Sequence, residues 1–189
     1  MTVVSVEPVT RELWPALEDL FGRAGASNGC WCIYWLLGPE YHRRPREQNR
    51  NALRRAVTTG PAPGLLAFDP SGTAVGWSRL TPRSELAWLN ARSILAPVDD
   101  APVWSMPCFY VRKGSRREGI MAALIDAAVE HAKGSSAAAL EAYPVDTSVP
   151  GSTRNLFPGT ADAFARAGFT VVARRSPDRP IMRCDLRTG

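Results

Sequence analysis

The sequence predicts a mixed α/β domain in which a central mixed β-sheet is flanked by helices. Strand-like apolar runs alternate with segments of helical periodicity over residues 3–186. A helical segment, 120–133, separates two apolar runs, 103–111 and 137–143, and this order is typical of a mixed α/β domain. The 189 residues contain no internal repeat and no second boundary, so we treat 1–189 as one domain.

The N-terminal half begins with a β-branched run, 3–9, that predicts a strand. Thr10 is the predicted N-cap of the first helix, and Pro45 the predicted start of a second that ends at Gly60. Two apolar runs, 64–68 and 73–80, flank a turn of sequence DPSG and predict a hairpin.

The C-terminal half follows an irregular segment rich in Pro, Ser and Asp, 81–102. The elements predicted after it are strand 103–111, helix 120–133, strand 137–143, loop 144–159, helix 160–167 and strands 169–174 and 181–186. A loop of that length inside a compact domain is more often functional than idle.

Composition and charge exclude several classes of protein. No run of about 18 apolar residues could span a membrane, and the first residues carry no signal-peptide pattern, so we expect a cytoplasmic protein. The net charge of +5 arises largely from basic clusters at 43–55 and 112–117. The first cluster suits a nucleic-acid patch or a solvated helix face, and we favour the solvated face because no recognition motif accompanies it.

The stretch GCWCIYW, residues 29–35, combines two thiols with three large aromatic side chains. A Cys-x-Cys pair cannot complete a tetrahedral metal site, and a disulfide between Cys30 and Cys32 would be strained. With Cys108 and Cys184 also lacking zinc spacing, we expect free thiols and no metal. The aromatic side chains suit either a binding wall or the core.

The segment VRKGSRREGIM, residues 111–121, joins a strand to an alanine-rich helix. Backbone N–H groups at a helix start attract anions, Gly119 permits close approach, and Arg116 and Arg117 add charge. Neither the dinucleotide fingerprint nor the P-loop spacing is present. The local pattern fits a phosphate site and an ordinary helix start equally well.

This segment resembles the acyl-coenzyme A loop of the GNAT superfamily of N-acetyltransferases, whose motif is R/Q-x-x-G-x-G/A. Residues 116–121 match it, except that Met121 stands where a small residue is usual. The run FARAGF, 164–169, is similar to the Gly-Phe junction near the family's C-terminus, and the order of elements also agrees. The resemblance implies a sheet in which parallel strands 103–111 and 137–143 splay apart.

The resemblance also implies where acetyl-CoA binds as the acyl donor. Backbone groups of Phe109 and Val111 would bind the pantetheine arm. The backbone N–H groups from Arg117 to Met121 (Arg117, Glu118, Gly119, Ile120 and Met121) would hold the pyrophosphate, and Arg116 belongs to the same coenzyme A site. The segment with Trp31, Tyr34 and Trp35 would border the acceptor, where an aromatic ring can hold an ammonium group.

Two positions depart from the family's common catalytic pattern. The usual base position is Ser105, and the usual tyrosine acid position is Phe164. Glu141 and Tyr143 share one face of strand 137–143, so we predict Glu141 as a base acting through water and Tyr143 as the acid. The alternative is that Glu141 pairs with a basic residue and Tyr143 packs.

These observations predict an N-acetyltransferase that acetylates the primary amine of a small molecule. A non-catalytic acyl-CoA-binding module and a protein or peptide N-acetyltransferase are the alternatives. The acceptor and the acyl group stay open, as does the oligomeric state, for which a homodimer is one compatible assembly.

Overall fold

The computed structural model describes residues 5–152 and 155–186, and it contains two sheets packed around one central helix. The strands are β1 Ser5–Pro8, β2 Gly64–Phe68, β3 Ala74–Arg79, β4 Thr81–Pro82, β5 Val103–Met106, β6 Phe109–Val111, β7 Ala139–Ala142, β8 Thr170–Arg174 and β9 Pro180–Asp185. The α-helices are α1 Trp14–Phe21, α2 Tyr34–Leu37, α3 Arg46–Thr59, α4 Ala87–Asn90, α5 Ile120–Lys133 and α6 Ala161–Arg166.

The first sheet has the order β1-β2-β3-β6 and is antiparallel throughout. Its central hairpin is the one that the turn sequence predicts, because the Asp69 carboxylate accepts hydrogen bonds from the N–H groups of Ser71 and Thr73. Gly72 closes the turn at φ = 78°, a conformation that glycine adopts without steric cost.

The second sheet has the order β4-β5-β7-β9-β8. Strands β5 and β7 are parallel, with Val103 opposite Ala139 and Ser105 opposite Glu141, whereas the other pairs are antiparallel. Helix α5 makes the connection that a parallel pair needs. The predicted mixed α/β fold is confirmed by this arrangement.

Two predictions differ in the structure. Helix α1 begins at Trp14, with Leu13 as its N-cap, because Thr10 to Leu13 form a turn and Pro15 occupies the helix start. Segment 81–102 is not irregular throughout, since it contains β4, α4 and two 3₁₀ turns. Part of the predicted first strand (3–4) and of the predicted long loop (153–154) lies outside the described residues.

The core is shared by the two sheets. Side chains of the first sheet, such as Leu65 and Val75, belong to one buried cluster with Leu140 and Met182 of the second sheet and Leu124 of α5. The outer face of the first sheet packs on α1 and α3, where Trp77 and Trp31 are buried. Among the described residues, no helix has the length and apolar character needed to cross a membrane.

Candidate active site

The apolar run 103–111 is two strands, because it changes sheets at Pro107 and Cys108. Strand β5 pairs with β7 in the second sheet, whereas β6 pairs with β3 in the first sheet. Pro107 has no N–H to contribute to a ladder, and its carbonyl accepts a hydrogen bond from Trp35 Nε1 at 3.0 Å. The chain therefore opens a gap between β6 and the segment that follows β7.

Strand β6 presents one backbone edge to this gap. Tyr110 lies opposite Trp77, and the flanking bonds join Arg79 N–H to the Cys108 carbonyl and Arg112 N–H to the Val75 carbonyl. By the alternation of an antiparallel ladder, the backbone groups of Phe109 and Val111 point away from β3. The Phe109 N–H donates to the Phe157 carbonyl at 2.6 Å, so segment 155–159 already occupies part of this edge.

A second opening, of about 510 Å³, lies at the N-terminus of α5. Arg117 and Gly119 both have left-handed backbones, with φ of 67° and 82°, so the loop turns its amides toward the helix start. Arg116, Arg117, Gly119 and Met121 line the opening, and Glu118 lies outside the lining. A methyl group built on Gly119 would meet no atom within 4 Å, so a ligand has room to approach its backbone.

A cavity of about 470 Å³ lies at the gap between β6 and the segment after β7. Its walls are largely aromatic and include Tyr34, Trp35, Phe109, Tyr110 and Phe157. This volume lies within the range of small-molecule sites.

Trp31 lies outside the cavity lining. Its side chain is 2% exposed and packs against Trp14 and Phe21, with ring centroids 6.1 and 5.5 Å away. Trp31 and Cys32 both have positive φ, 44° and 53°, and this turn sends the indole inward while Tyr34 and Trp35 reach the cavity. Of the three aromatic residues in that segment predicted to border the acceptor, these last two line the cavity.

A buried polar network adjoins the cavity at Tyr143. The Glu141 carboxylate accepts hydrogen bonds from Arg83 at 2.8 Å and from Arg183 at 2.6 Å, and a third from the Tyr143 hydroxyl at 2.9 Å. The Tyr143 hydroxyl lies 2.6 Å from Ser105 Oγ. Burial raises the pKa of Tyr143 above its ordinary value, so the phenol stays protonated at neutral pH.

Glu141 and Tyr143 are thus brought together as predicted, but their surroundings were not expected. Glu141 is fully buried, and both of its oxygens accept hydrogen bonds from arginine side chains. A carboxylate held in this way has little freedom to collect a proton from a substrate or water. The base role of Glu141 stays a prediction, and the geometry favours the alternative in which it pairs with basic residues.

The model of the Acetyltransferase (GNAT) family matches residues 17–154. The chain belongs to this family. It is therefore an acyltransferase of the N-acetyltransferase type, as the sequence predicts. No curated protein matches the chain.

Solved structures of acetyltransferases have the same fold. The histone acetyltransferase HPA2 and related acetyltransferase from Corynebacterium glutamicum has a TM-score of 0.59 at 18% identity, covering 100% of this chain and 99% of its own. A phosphinothricin acetyltransferase from Sinorhizobium meliloti in complex with AcCoA has a TM-score of 0.57 at 16% identity, and the match covers 98% of this chain and 89% of that one. Arylalkylamine N-acetyltransferase 2 from Aedes aegypti has a TM-score of 0.57 at 11% identity, and the match covers 97% of this chain and 99% of that one.

The residues of this acetyltransferase fit an acyl-CoA donor. The opening at α5 offers backbone amides, the exposed side chains of Arg116 and Arg117, and free space beside Gly119, which together suit a pyrophosphate. Val111 lines this opening, while Phe109 lines the aromatic cavity. Strand β6 therefore runs from the opening at the start of α5 to the cavity, and a pantetheine arm would follow it.

The residues at the positions of the family's usual acid and base, Phe164 and Ser105, are both fully buried in this acetyltransferase. Phe164 is fully buried and packs against Phe109 and Phe169, with ring centroids 5.8 and 5.0 Å away. Ser105 is fully buried and hydrogen-bonded to Tyr143. The Tyr143 hydroxyl therefore lies within hydrogen-bond distance of the residue at the usual base position.

The expectation of free thiols is wrong for one pair. Cys32 and Cys108 form a disulfide between residues 76 positions apart. No pattern in the sequence indicates this pair, because the two cysteines meet only when segment 29–35 packs on the break between β5 and β6. Cys30 and Cys184 are free thiols, and burial raises the pKa of Cys30. The described residues contain no group of three or more His, Cys, Asp or Glu that could hold a metal.

Sequence reasoning missed four arginines at this site. Arg83 and Arg183 hold Glu141, and Arg92 and Arg179 line the cavity. Arg83 and Arg92 lie in the segment predicted to be irregular, and Arg179 lies in a turn, so no periodicity marked them. The available signal was Glu141, the single charged residue on the otherwise apolar strand 139–142, because a buried carboxylate requires a cationic partner.

Proposed function

We propose that this acetyltransferase transfers an acetyl group from acetyl-CoA directly to the primary amine of a small molecule. The observation that carries the proposal is the aromatic cavity of about 470 Å³, which lies at the Phe109 end of β6, while the opening at the start of α5 lies at its Val111 end. A protein or peptide acceptor would need a wide groove, whereas this volume suits a small molecule. A cytoplasmic location and a homodimeric assembly remain predictions that fractionation and light scattering would check.

The donor would be held by main-chain groups. The amides at the start of α5 and the side chains of Arg116 and Arg117 would hold the pyrophosphate, and the open edge at Val111 would bind the pantetheine arm. When bound, acetyl-CoA supplies the acetyl group as a thioester. The contribution of the chain at this stage is proximity, because a fixed donor beside a fixed amine removes most of the entropic cost of their encounter.

Proton transfer would depend on Tyr143. An acceptor amine must lose a proton before it attacks, and the departing thiolate must gain one. The phenol of Tyr143 is protonated, borders the cavity and is aligned by Glu141, Ser105 and Arg83. We therefore assign proton donation to Tyr143 and a positioning role to Glu141. The amine proton passes to water, and Tyr143 regains a proton from water after the thiol has departed.

Thiol release from acetyl-CoA in the presence of an amine panel tests the proposal. The panel contains small primary amines and, as a matched comparison, a lysine-containing peptide. We expect turnover with at least one small amine, and a loss of about 10²–10⁴-fold in kcat for Tyr143→Phe with unchanged coenzyme A affinity. Acetylation of the peptide alone would contradict the small-molecule proposal, and full activity in Tyr143→Phe would contradict the assigned role.

A further inference from the structure

The cavity has an unusual charge for an enzyme that receives an ammonium group. Two arginines, Arg92 and Arg179, are among its lining residues. No aspartate or glutamate lines it within the part of the chain that the structure describes. Its other polar side chains are amides, hydroxyls, a thiol and His42, so an anion meets two positive charges, whereas a polycation meets no carboxylate in the described lining.

The guanidinium of Arg179 is the more informative of the two. The residue is half-buried, and its side chain makes no hydrogen bond or ion pair with any described residue. The nearby carboxylates have other partners, since Asp178 accepts a hydrogen bond from Ser176 and Asp146 pairs with Arg174 at 2.9 Å. A partly desolvated charge without a partner costs free energy, and an anionic ligand would relieve that cost.

Arg92 lies on a neighbouring part of the same rim. Arg175, in the turn that carries Arg179, donates hydrogen bonds to the carbonyls of Ala96 and Pro97, and this ties the turn to the segment that begins at Arg92. The Arg92 guanidinium stacks over Trp88 at 5.7 Å and leaves its N–H groups without a described acceptor. Guanidinium groups bind carboxylates in a fixed fork geometry.

We propose that the acceptor is an amino acid with a large apolar or aromatic side chain, whose carboxylate is bound by Arg179 and Arg92. The inference rests on the proposed function and specifies its substrate class. The aromatic walls, Tyr34, Trp35 and Phe157 among them, match the apolar body, and the arginines match the carboxylate. A polyamine has no counter-ion in this lining.

The first experiment compares pairs of acceptors that differ only in the carboxylate. Phenylalanine is paired with 2-phenylethylamine and leucine with 3-methylbutylamine, and each is assayed with the wild type, Arg179→Gln and Arg92→Gln. We expect both variants to lower kcat/KM for the amino acids by about 10- to 100-fold, the range for a charge-assisted hydrogen bond. For the amines without a carboxylate, kcat/KM of the two variants should differ from the wild-type value by less than about 3-fold, since no hydrogen bond to a carboxylate is lost.

Arg23→Gln is the matched control, because it removes the same charge from a residue that is exposed and lies outside both cavities. It should leave all four acceptors unchanged. Comparing variants on one acceptor cancels the different basicities of the amines. Equal losses for both members of a pair, or a preference for the amine without a carboxylate, would overturn the inference while leaving small-amine acetylation intact.

The second experiment does not depend on turnover. 3-Phenylpropanoate keeps the aromatic body and the carboxylate but lacks the amine, so its calorimetric binding reports the anion contact alone. We expect wild-type protein and Arg23→Gln to bind it and Arg179→Gln to bind about 10- to 100-fold more weakly. Equal binding by all three, or none by the wild type, would overturn the inference. An enzyme that binds it but acetylates no small amine would instead contradict the proposed function.

Discussion

Gly119 is the residue on which the donor site depends most directly. Its φ of 82° lies in the left-handed region, and the space where a side chain would project is empty of protein atoms. Any other residue would both strain the backbone and fill the space that a pyrophosphate needs.

Gly119→Val is expected to weaken coenzyme A binding by about tenfold or more, equivalent to about 1.4 kcal/mol, as measured by calorimetry. Gly114→Ala is the matched control, because Gly114 belongs to the same loop, lies outside the lining, and has neither a left-handed backbone nor a neighbour within 4 Å of the added methyl group. Unchanged affinity in Gly119→Val would refute the assignment of this loop to the donor.

Glu141→Gln separates the two roles considered for that carboxylate. A positioning role predicts a stability loss of roughly 3–5 kcal/mol, because Arg83 would stay buried without its carboxylate partner and the half-buried Arg183 would keep only Asp99. Urea denaturation measures this loss, and the pH dependence of kcat/KM should keep its acidic limb. A variant of normal stability whose acidic limb is flattened would instead establish Glu141 as the base.

At the scale of elements, the break between β5 and β6 creates the site. Strand β6 leaves the parallel pair, and segment 155–159 fills part of the gap, with Phe157 accepting the Phe109 N–H. A methyl group on Gly159 would lie 3.1 to 3.4 Å from atoms of Phe164, Met121 and Phe109, so the segment fits closely beside the donor path.

Coenzyme A is expected to displace this segment, because the pantetheine arm and the Phe157 carbonyl require the same N–H group. Hydrogen exchange should therefore become faster in peptides covering 155–160 when coenzyme A is added, while the β8–β9 hairpin, paired along its own ladder, stays unchanged. Equal or slower exchange across 155–160 at saturating coenzyme A would show that the arm takes another path.

At the scale of the whole molecule, the two sheets share one core. Leu65 and Val75 of the first sheet lie in the same buried cluster as Leu140 and Met182 of the second, with Leu124 of α5 among them. Neither sheet can lose its packing without exposing the inner face of the other, so we propose that residues 1–189 form one cooperative domain.

Equilibrium unfolding in urea, with the disulfide intact, is expected to give a single transition. Far-ultraviolet circular dichroism should report both sheets and the helices. Tryptophan fluorescence should report six side chains, of which Trp14, Trp31 and Trp77 lie in the cluster on the outer face of the first sheet. Coincident midpoints would support one domain. Two separated midpoints would contradict it and indicate that one part of the chain melts independently.

Local patterns in the sequence were enough to predict the fold class and the donor loop. The hairpin turn at Asp69, the proline start of α3 and the glycine before α5 each act through contacts within a few residues, so their signals are readable along the chain. The family motif around Gly119 depends on the same local geometry. The prediction of an N-acetyltransferase rested on the resemblance of residues 116–121, of residues 164–169 and of the element order to the GNAT superfamily, and the family match confirms it.

Only the tertiary structure decided how the acceptor side is built. The two sulfurs of Cys32 and Cys108 meet across 76 positions, Arg83 reaches Glu141 across 58, and Arg179 comes from a turn with no periodicity. Trp31 and Trp35 look equivalent in the sequence, yet the left-handed turn at Trp31 buries one ring in the core and leaves the other on the cavity wall. Such pairings depend on which surfaces pack together, and packing between distant segments leaves no fixed spacing in the sequence.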